Sequence, residues 1–181
     1  MAPRSKGVEP MPVSVSRAQF LRGDLSGRRA PRRPPWAVSE ARFVALCTRC
    51  NACADDCPQG LLRAGYAGYP VIDFSRGGCS FCGECAAACA QGALTRRFQG
   101  AEQIPWRLTA VVEEHCLSLH GVLCRICGEH CEARAIRFRP ARGGRTQPLI
   151  DAQTCSGCGA CYAACPSHAI VLAEVAGQPA S

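Results

Sequence analysis

Cysteine is the residue type that could carry chemistry in this chain, because sixteen of its 181 residues are cysteines. They form four groups, motifs 1 to 4 in chain order: Cys47, Cys50, Cys53 and Cys57; Cys79, Cys82, Cys85 and Cys89; Cys116, Cys124, Cys127 and Cys131; Cys155, Cys158, Cys161 and Cys165. Three motifs share the spacing C-x2-C-x2-C-x3-C, and motif 3 has five extra residues between its first two cysteines. Cysteines at this spacing hold [4Fe-4S] clusters in bacterial ferredoxins. We therefore predict that all sixteen cysteines bind the iron of four [4Fe-4S] clusters.

The pairing between motifs follows from the way a cluster is held. In two-cluster ferredoxins, the fourth cysteine of each motif binds the other cluster. If consecutive motifs pair, the four ligand sets are Cys47, Cys50, Cys53 and Cys89; Cys79, Cys82, Cys85 and Cys57; Cys116, Cys124, Cys127 and Cys165; Cys155, Cys158, Cys161 and Cys131. A nested arrangement is the alternative: motif 1 pairs with motif 4, motif 2 pairs with motif 3, and Cys57 and Cys165 share one cluster.

Zinc and disulfides are the other uses of so many cysteines. Zinc sites commonly separate two C-x2-C pairs by a longer stretch, whereas here four ligands follow one another closely and the pattern repeats. Disulfide frameworks are typical of smaller secreted chains. The spacing therefore favours iron-sulfur clusters over both.

Short elements are expected to position the cluster loops. Residues 39–46, with Ser39 as N-cap, are predicted to form a helix that leads into motif 1. Strand-like runs bounded by Gly or Pro flank the later motifs at Tyr69–Phe74, Ala93–Phe98, Arg107–Val112, Ala135–Arg139, Pro148–Asp151 and His168–Leu172. A strand, a cluster loop, a short helix and a return strand thus form a repeat unit that occurs four times.

Two tandem two-cluster ferredoxin modules of the α+β class are the simplest architecture. The first module is predicted to span residues 38–99 and the second 107–175, with the boundary in the long gap that contains Gly100, Pro105 and Trp106. Leu, Ile, Val and Phe are sparse, so little apolar core would remain without metal. The fold is therefore expected to be stabilised by its clusters, and the apo chain to be largely unfolded.

Positive charge is concentrated at the N-terminus. Residues 1–35 contain eight Lys or Arg against two acids, and the formal charge of the whole chain is +7. Each oxidised cluster with four thiolates carries about −2, so the cluster-bearing body is expected to be acidic. Residues 1–37 are rich in Arg and Pro and lack apolar periodicity, so we predict a mostly disordered basic arm ahead of an acidic redox body.

Other classes of site find little support. His115, His120, His130 and His168 form no triad-like pattern, and neither a phosphate-binding glycine loop nor a dinucleotide fingerprint is present. A cluster with four cysteine ligands has no open iron, so the protein is predicted not to be an enzyme. Ser16 to Arg22 approximate a twin-arginine export motif, but Ala18 replaces the second arginine and residues 23–35 are polar. We expect a cytoplasmic protein without a membrane span.

Several segments outside the cysteines carry a family resemblance. They are Ser16-Arg17 with Phe20 to Gly23, Arg33-Pro34-Pro35-Trp36, Cys47 to Cys50, Gly68-Tyr69-Pro70, Cys79 to Cys82, Cys124-Arg125 with Cys127, Phe138-Arg139-Pro140 and Cys155 to Cys161. In these segments the chain resembles the NapF family of ferredoxin-type proteins of the periplasmic nitrate reductase system. The resemblance implies a cytoplasmic protein that meets the nitrate reductase catalytic subunit before export and helps to assemble or reduce that subunit's own [4Fe-4S] cluster.

Two other functions are kept as alternatives. A plain electron-transfer ferredoxin, or an electron-transfer subunit of another oxidoreductase, would have the same clusters but no maturation role. Nucleic-acid binding through the arginine arm is disfavoured, because the arm lacks interleaved aromatic residues and the body is expected to be acidic.

Overall fold

The computed structural model describes residues 32–174, and Arg33 onward in this range belongs to one compact unit. Its elements are the helices α1 (Glu40–Leu46), α2 (Ala52–Asp55), α3 (Glu84–Ala87), α4 (Ile126–Glu129) and α5 (Ala160–Ala164), and the strands β1 (Leu62–Ala64), β2 (Pro70–Ile72), β3 (Arg97–Phe98), β4 (Ala101–Glu102), β5 (Leu108–Val112), β6 (Ile136–Pro140), β7 (Thr146–Ile150) and β8 (Ile170–Glu174). Short helices and two-stranded sheets alternate, as the α+β prediction requires. No helix within residues 32–174 is long and apolar enough to cross a membrane.

The second module has a nested strand order. Its first strand, β5, pairs antiparallel with its last, β8, while β6 and β7 pair antiparallel with each other. Ala110 of β5 and Ile170 and Leu172 of β8 are buried. The four strands predicted here are confirmed with shifted ends, because strand pairing, rather than local composition, decides where each one stops.

The first module repeats this order with a much shorter outer pair. β1, which the sequence analysis missed, pairs antiparallel with β2. The outer pair is a single bridge between Ala37 and Leu94, flanked by hydrogen bonds from Val38 N–H to Ala93 O (3.1 Å) and from Thr95 N–H to Trp36 O (2.9 Å). The strand predicted at Ala93–Phe98 therefore shrinks to this bridge and to β3, which forms a hairpin with β4.

Residues 33–37 belong to this first module and not to a free arm. Trp36 is only 6% exposed, donates its backbone N–H to Pro105 O (2.8 Å), and donates its Nε1–H to Gln103 O (3.1 Å). Arg33 donates to both carboxylate oxygens of Glu40 (2.7 and 2.9 Å). The arm boundary predicted at residue 37 is therefore wrong and moves back to residue 32. The remainder of the predicted arm, residues 1–31, lies outside the described residues.

The long gap between motifs 2 and 3 packs against both modules. Trp106 makes edge contacts with Phe74 and Phe81 of the first module, with ring centroids 5.6 and 5.4 Å apart. It also donates its Nε1–H to Ser156 O of the second module (3.2 Å). The residues predicted to form a boundary thus help to hold the two modules together.

Candidate metal centres

Each cysteine motif lies in a loop that turns into a helix of four or five residues. The third cysteine is inside that helix and is buried, at 7–9% exposure: Cys53 in α2, Cys85 in α3, Cys127 in α4 and Cys161 in α5. The helix thus places the third thiol of each motif in the interior; the loop before it carries the first two cysteines, and the fourth follows the helix.

The loops of motifs 1, 2 and 4 share an unusual backbone. The residues on either side of the second cysteine of each of these motifs have positive φ angles. They are Arg49 and Asn51, Phe81 and Gly83, and Gly157 and Gly159. Left-handed backbone costs a non-glycine residue about 1–2 kcal/mol. The same backbone conformation recurs at equivalent positions even where the residue is not glycine. The wrapped shape of the loop, and not the conformational preference of the individual residue, therefore sets these φ angles. In motif 3, Arg125 has φ −134°.

Four thiols from two motifs line one cavity, which shows how the loops combine. One pocket is bordered by Cys57 of motif 1 and by Cys79, Cys82 and Cys85 of motif 2. The remaining walls are mainly apolar and include Pro35, Trp36, Leu61, Leu62 and Ile72. Four soft thiol ligands around an apolar space are the donor set and surroundings that a [4Fe-4S] cluster requires.

The other cysteines gather in the same way. Burial and then the neighbouring thiolate charges of Cys47, Cys89 and Cys50 raise the pKa of Cys53 to about 11. The pKa of Cys127 is raised to about 11 by burial and by neighbours that include Cys116, Cys124 and Cys165. For Cys161 the value is about 12, after burial and the charges of Cys158, Cys155, Cys127 and Cys131. Burial and then the charges of Cys79, Cys53, Cys57 and Cys82 raise the pKa of Cys85 to about 12.

Each third cysteine has three of these neighbours from the two motifs of its own module, and we group the four as a quartet. Cys53 beside Cys85 and Cys127 beside Cys161 are themselves third cysteines and are assigned to their own quartets. Quartet 1 is Cys47, Cys50, Cys53 and Cys89; quartet 2 is Cys57, Cys79, Cys82 and Cys85; quartet 3 is Cys116, Cys124, Cys127 and Cys165; quartet 4 is Cys131, Cys155, Cys158 and Cys161. They coincide with the sets expected for consecutive pairing. The nested arrangement would have brought Cys57 and Cys165 together, but Cys57 lies in the cavity of quartet 2 and Cys165 beside Cys127.

Backbone amides reach the fourth cysteine of three motifs. N–H groups of Leu94, Ala135 and Ala169 point at Sγ of Cys89 (3.4 Å), Cys131 (3.3 Å) and Cys165 (3.3 Å). Hydrogen bonds to a ligating sulfur stabilise its negative charge and raise the reduction potential of the cluster that it holds. The main chain of the return segment is thus placed to support thiolate ligands.

Among residues 32–174, no group of three His, Cys, Asp or Glu side chains is arranged around a single metal ion. A [4Fe-4S] cluster does not require three side chains around one metal ion, because each of its four thiolates binds a different iron atom. The quartets therefore fit a [4Fe-4S] group, with the apolar cavity of quartet 2 as the observation that carries the fit.

Solvent exposure differs between the two modules. The second cysteines of motifs 1 and 2, Cys50 and Cys82, are exposed, whereas those of motifs 3 and 4, Cys124 and Cys158, are half-buried. The extra residues of motif 3 form a 3₁₀ helix, Leu117–His120, followed by Val122 and Leu123, which are 50% and 85% exposed. Access from solvent is thus more direct to the thiols of the first module.

The apolar side chains around quartet 2 were not predicted from the sequence. Pro35 and Trp36 line this cavity although they precede every motif, and they had been assigned to the arm. The clue was their apolar character within an otherwise polar and basic stretch.

Comparisons with known proteins agree with these centres. The sequence model of the 4Fe-4S dicluster domain family matches residues 46–118 and 122–171, which gives two dicluster domains in tandem. The chain is 40% identical over 172 residues to the ferredoxin-type protein NapF of Haemophilus influenzae, covering 90% of this chain and 96% of the relative. It is also 40% identical over 160 residues to NapF of Escherichia coli K12, covering 88% and 95%.

A more distant relative belongs to another system. The methylamine utilization ferredoxin-type protein MauM of Methylobacillus flagellatus is 34% identical over 182 residues, covering 91% of this chain and 76% of the relative. The match to NapF is higher in identity and nearly complete in both chains. With its tandem dicluster domains and its four cysteine quartets, this chain belongs to the NapF family of ferredoxin-type iron-sulfur proteins.

Proposed function

We propose that this chain is a cytoplasmic iron-sulfur protein that holds one [4Fe-4S] cluster in each quartet. It assists the maturation of the catalytic subunit of periplasmic nitrate reductase before export, by assembling or reducing that subunit's own cluster. The observation that carries the proposal is the gathering of sixteen cysteines into four quartets, each built from two motifs. Similarity to the NapF proteins supports this choice of partner.

The chemistry is that of an electron or cluster carrier and not of an enzyme. A quartet offers one thiolate to each iron, so every iron is fully ligated and no open position remains for a substrate. When bound, the clusters supply one-electron redox chemistry. The residues of the chain hold them, shield them with Trp36 and Leu61, and stabilise the sulfur charge through backbone N–H groups.

Cytoplasmic location is part of this proposal and rests on the resemblance to the NapF family. The basic N-terminal residues suit an acidic patch on a protein partner, because complementary charge speeds encounter and fixes orientation. Nucleic acid is not proposed as a ligand.

A plain electron-transfer ferredoxin is the second candidate. The similarity to MauM favours it, because that protein is a ferredoxin-type protein named for methylamine utilization and matches 91% of this chain. Such a carrier would exchange electrons reversibly with its partner and would keep its iron.

Anaerobic mixing with the apo catalytic subunit of nitrate reductase tests both candidates. Iron and sulfide analysis with EPR should find about sixteen irons on the isolated protein. Maturation predicts that iron or electrons pass to the apo subunit and that this subunit becomes active. Reversible oxidation and reduction with an unrelated redox partner, with no effect on the apo subunit, would support the plain carrier and contradict the maturation role.

A further inference from the structure

The two modules touch at the ligands of quartets 2 and 4. Cys79 of quartet 2 donates its backbone N–H to the backbone oxygen of Cys158 of quartet 4, at 2.8 Å. Both residues are proposed cluster ligands, so one hydrogen bond joins the backbones that carry them. Cys158 is also among the charges that raise the pKa of Cys79, after burial and nearer thiols.

Close packing holds this junction together. An added Cβ on Gly78 would lie 2.8 Å from Cβ of Ala160, the first residue of α5. An added Cβ on Gly159 would overlap the ring of Phe74. Gly159 also has a left-handed backbone (φ +86°), so both space and conformation require glycine there. Trp106 braces the junction through its contacts with Phe74, Phe81 and Ser156.

Within each module the quartets are also adjacent. The helices that carry Cys53 of quartet 1 and Cys85 of quartet 2, α2 and α3, are in contact, and so are the helices that carry Cys127 of quartet 3 and Cys161 of quartet 4, α4 and α5. The adjacencies therefore run from quartet 1 to quartet 2, across the junction to quartet 4, and then to quartet 3. This order differs from the order of the motifs along the chain.

We propose that the hydrogen bond from Cys79 N–H to Cys158 O is the electron bridge between the modules, so that electrons pass along the quartets in the order 1, 2, 4, 3. The inference rests on the proposed function, because it requires a cluster in each quartet. Electron tunnelling weakens steeply with distance and is favoured by covalent bonds and short hydrogen bonds. The path from Sγ of Cys79 to Sγ of Cys158 consists of the two residues' own bonds and this one hydrogen bond.

The step moves one electron and nothing else. The cluster of quartet 2 is oxidised as the cluster of quartet 4 is reduced, and no covalent bond or proton is exchanged. The electron is supplied from outside by a low-potential one-electron donor, for which dithionite serves in the experiment. Cys50 of quartet 1 and Cys82 of quartet 2 are both exposed, so the first module is the accessible end of this order.

Two-cluster variants test the order directly. The double variant Cys50→Ala/Cys124→Ala removes a ligand from quartets 1 and 3 and leaves quartets 2 and 4 intact. The reverse variant, Cys82→Ala/Cys158→Ala, leaves quartets 1 and 3. Both should retain about eight irons. After reduction with dithionite, neighbouring paramagnetic clusters split or broaden each other's EPR signals.

The proposal expects a split signal from the variant that keeps quartets 2 and 4, and simple unsplit signals from the variant that keeps quartets 1 and 3. Eight irons with unsplit signals in the first variant would overturn the bridge and leave the proposed function standing. An iron content far below sixteen in the unmodified protein would instead contradict the four-cluster function.

If the two-cluster variants do not fold, a bulky substitution at the junction in the chain with all sixteen cysteines tests the proposal. Gly78→Leu places a side chain against Ala160 at the junction, whereas the control Gly65→Leu creates a similar clash with Val71 inside the first module. Neither glycine has a left-handed backbone. Gly78→Leu should keep about sixteen irons but lose part of the spin coupling that Gly65→Leu retains. Equal spectra from the two variants at full iron content would overturn the proposal.

Discussion

At the scale of the residue, the third cysteine of each motif combines burial with a position inside a helix. The third cysteine is buried in its short helix, and burial raises the pKa of Cys85 and of Cys161 to about 12. In the absence of metal these thiols keep their protons at neutral pH. Iron binds the thiolate, so cluster insertion must displace a proton at each of these buried sites.

The fourth cysteines test the assignment of the quartets. Cys57→Ala should remove one cluster, about four irons of sixteen, and adding Cys82→Ala should remove nothing further, because both residues belong to quartet 2. Combining Cys57→Ala with Cys50→Ala of quartet 1 should remove about eight irons. Iron and sulfide analysis of the purified variants gives the counts. Equal iron contents in the two double variants would contradict the assignment.

At the scale of the element, the two modules close their outer strands differently. The second module has a full pair of strands, β5 and β8, whereas the first has one bridge between Ala37 and Leu94. In the first module, side-chain packing takes the place of the missing strand pair. Trp36 fills the space behind quartet 2, and the Arg33 guanidinium lies 4.7 Å from the ring centroid of Phe43.

Truncation of Trp36 should therefore lower the stability of the first module more than truncation of an exposed aromatic residue does. Trp36→Ala is expected to destabilise the fold by about 3–5 kcal/mol and to speed the loss of the cluster in quartet 2, because its apolar wall is gone. Denaturant titration and the rate of bleaching in air measure the two effects. Tyr66→Ala, at a residue that is 72% exposed, is the control. Bleaching at the same rate in both variants would show that Trp36 does not shield the cluster.

At the scale of the whole molecule, the buried core of the described residues is one cluster in which cysteines pack among apolar side chains. Six of the cysteines are buried, and Phe43, Leu61, Ile170 and Leu172 are among the most deeply buried large side chains. Because so many buried residues are proposed cluster ligands, we expect cluster binding to contribute much of the folding free energy.

Removal of the clusters by an iron chelator under reducing conditions should unfold most of the chain. The expected result is loss of helical and strand circular dichroism together with the visible absorbance of the clusters. Refolding should require iron and sulfide together, with sulfide-free iron as the control. An apo protein that still unfolds cooperatively on heating would contradict this dependence.

Removal of the N-terminal residues tests partner binding. Met1–Arg32 carries seven Lys or Arg against two acids, so its deletion should weaken binding to the nitrate reductase catalytic subunit and make binding less sensitive to salt. Iron content should be unchanged. The comparison variant removes Met1–Trp36 and should also lose cluster stability, because Trp36 is buried. Unchanged binding after deletion of Met1–Arg32 would contradict a docking role.

The sequence by itself indicated the metal chemistry, and it left the pairing of the motifs open between a consecutive and a nested arrangement. The spacing of four cysteines along a short loop is a local property, so the cofactor, the ligands and the repeat unit follow from it without tertiary information. Local patterning also predicted the helix before motif 1 and all four strands of the second module. It failed at β1 and at the strand after motif 2, where only a few residues pair.

Only the tertiary structure decided which parts distant in sequence meet. Trp36 reads as part of a basic tail, and its burial depends on Pro105 and Gln103, about seventy residues further along the chain. The junction of Cys79 with Cys158 likewise has no local signature, because a backbone hydrogen bond can form between any two residues that the packing of Gly78 on Ala160 brings together. Spacing specifies ligands within a loop, whereas the order in which the quartets adjoin depends on how the two modules pack.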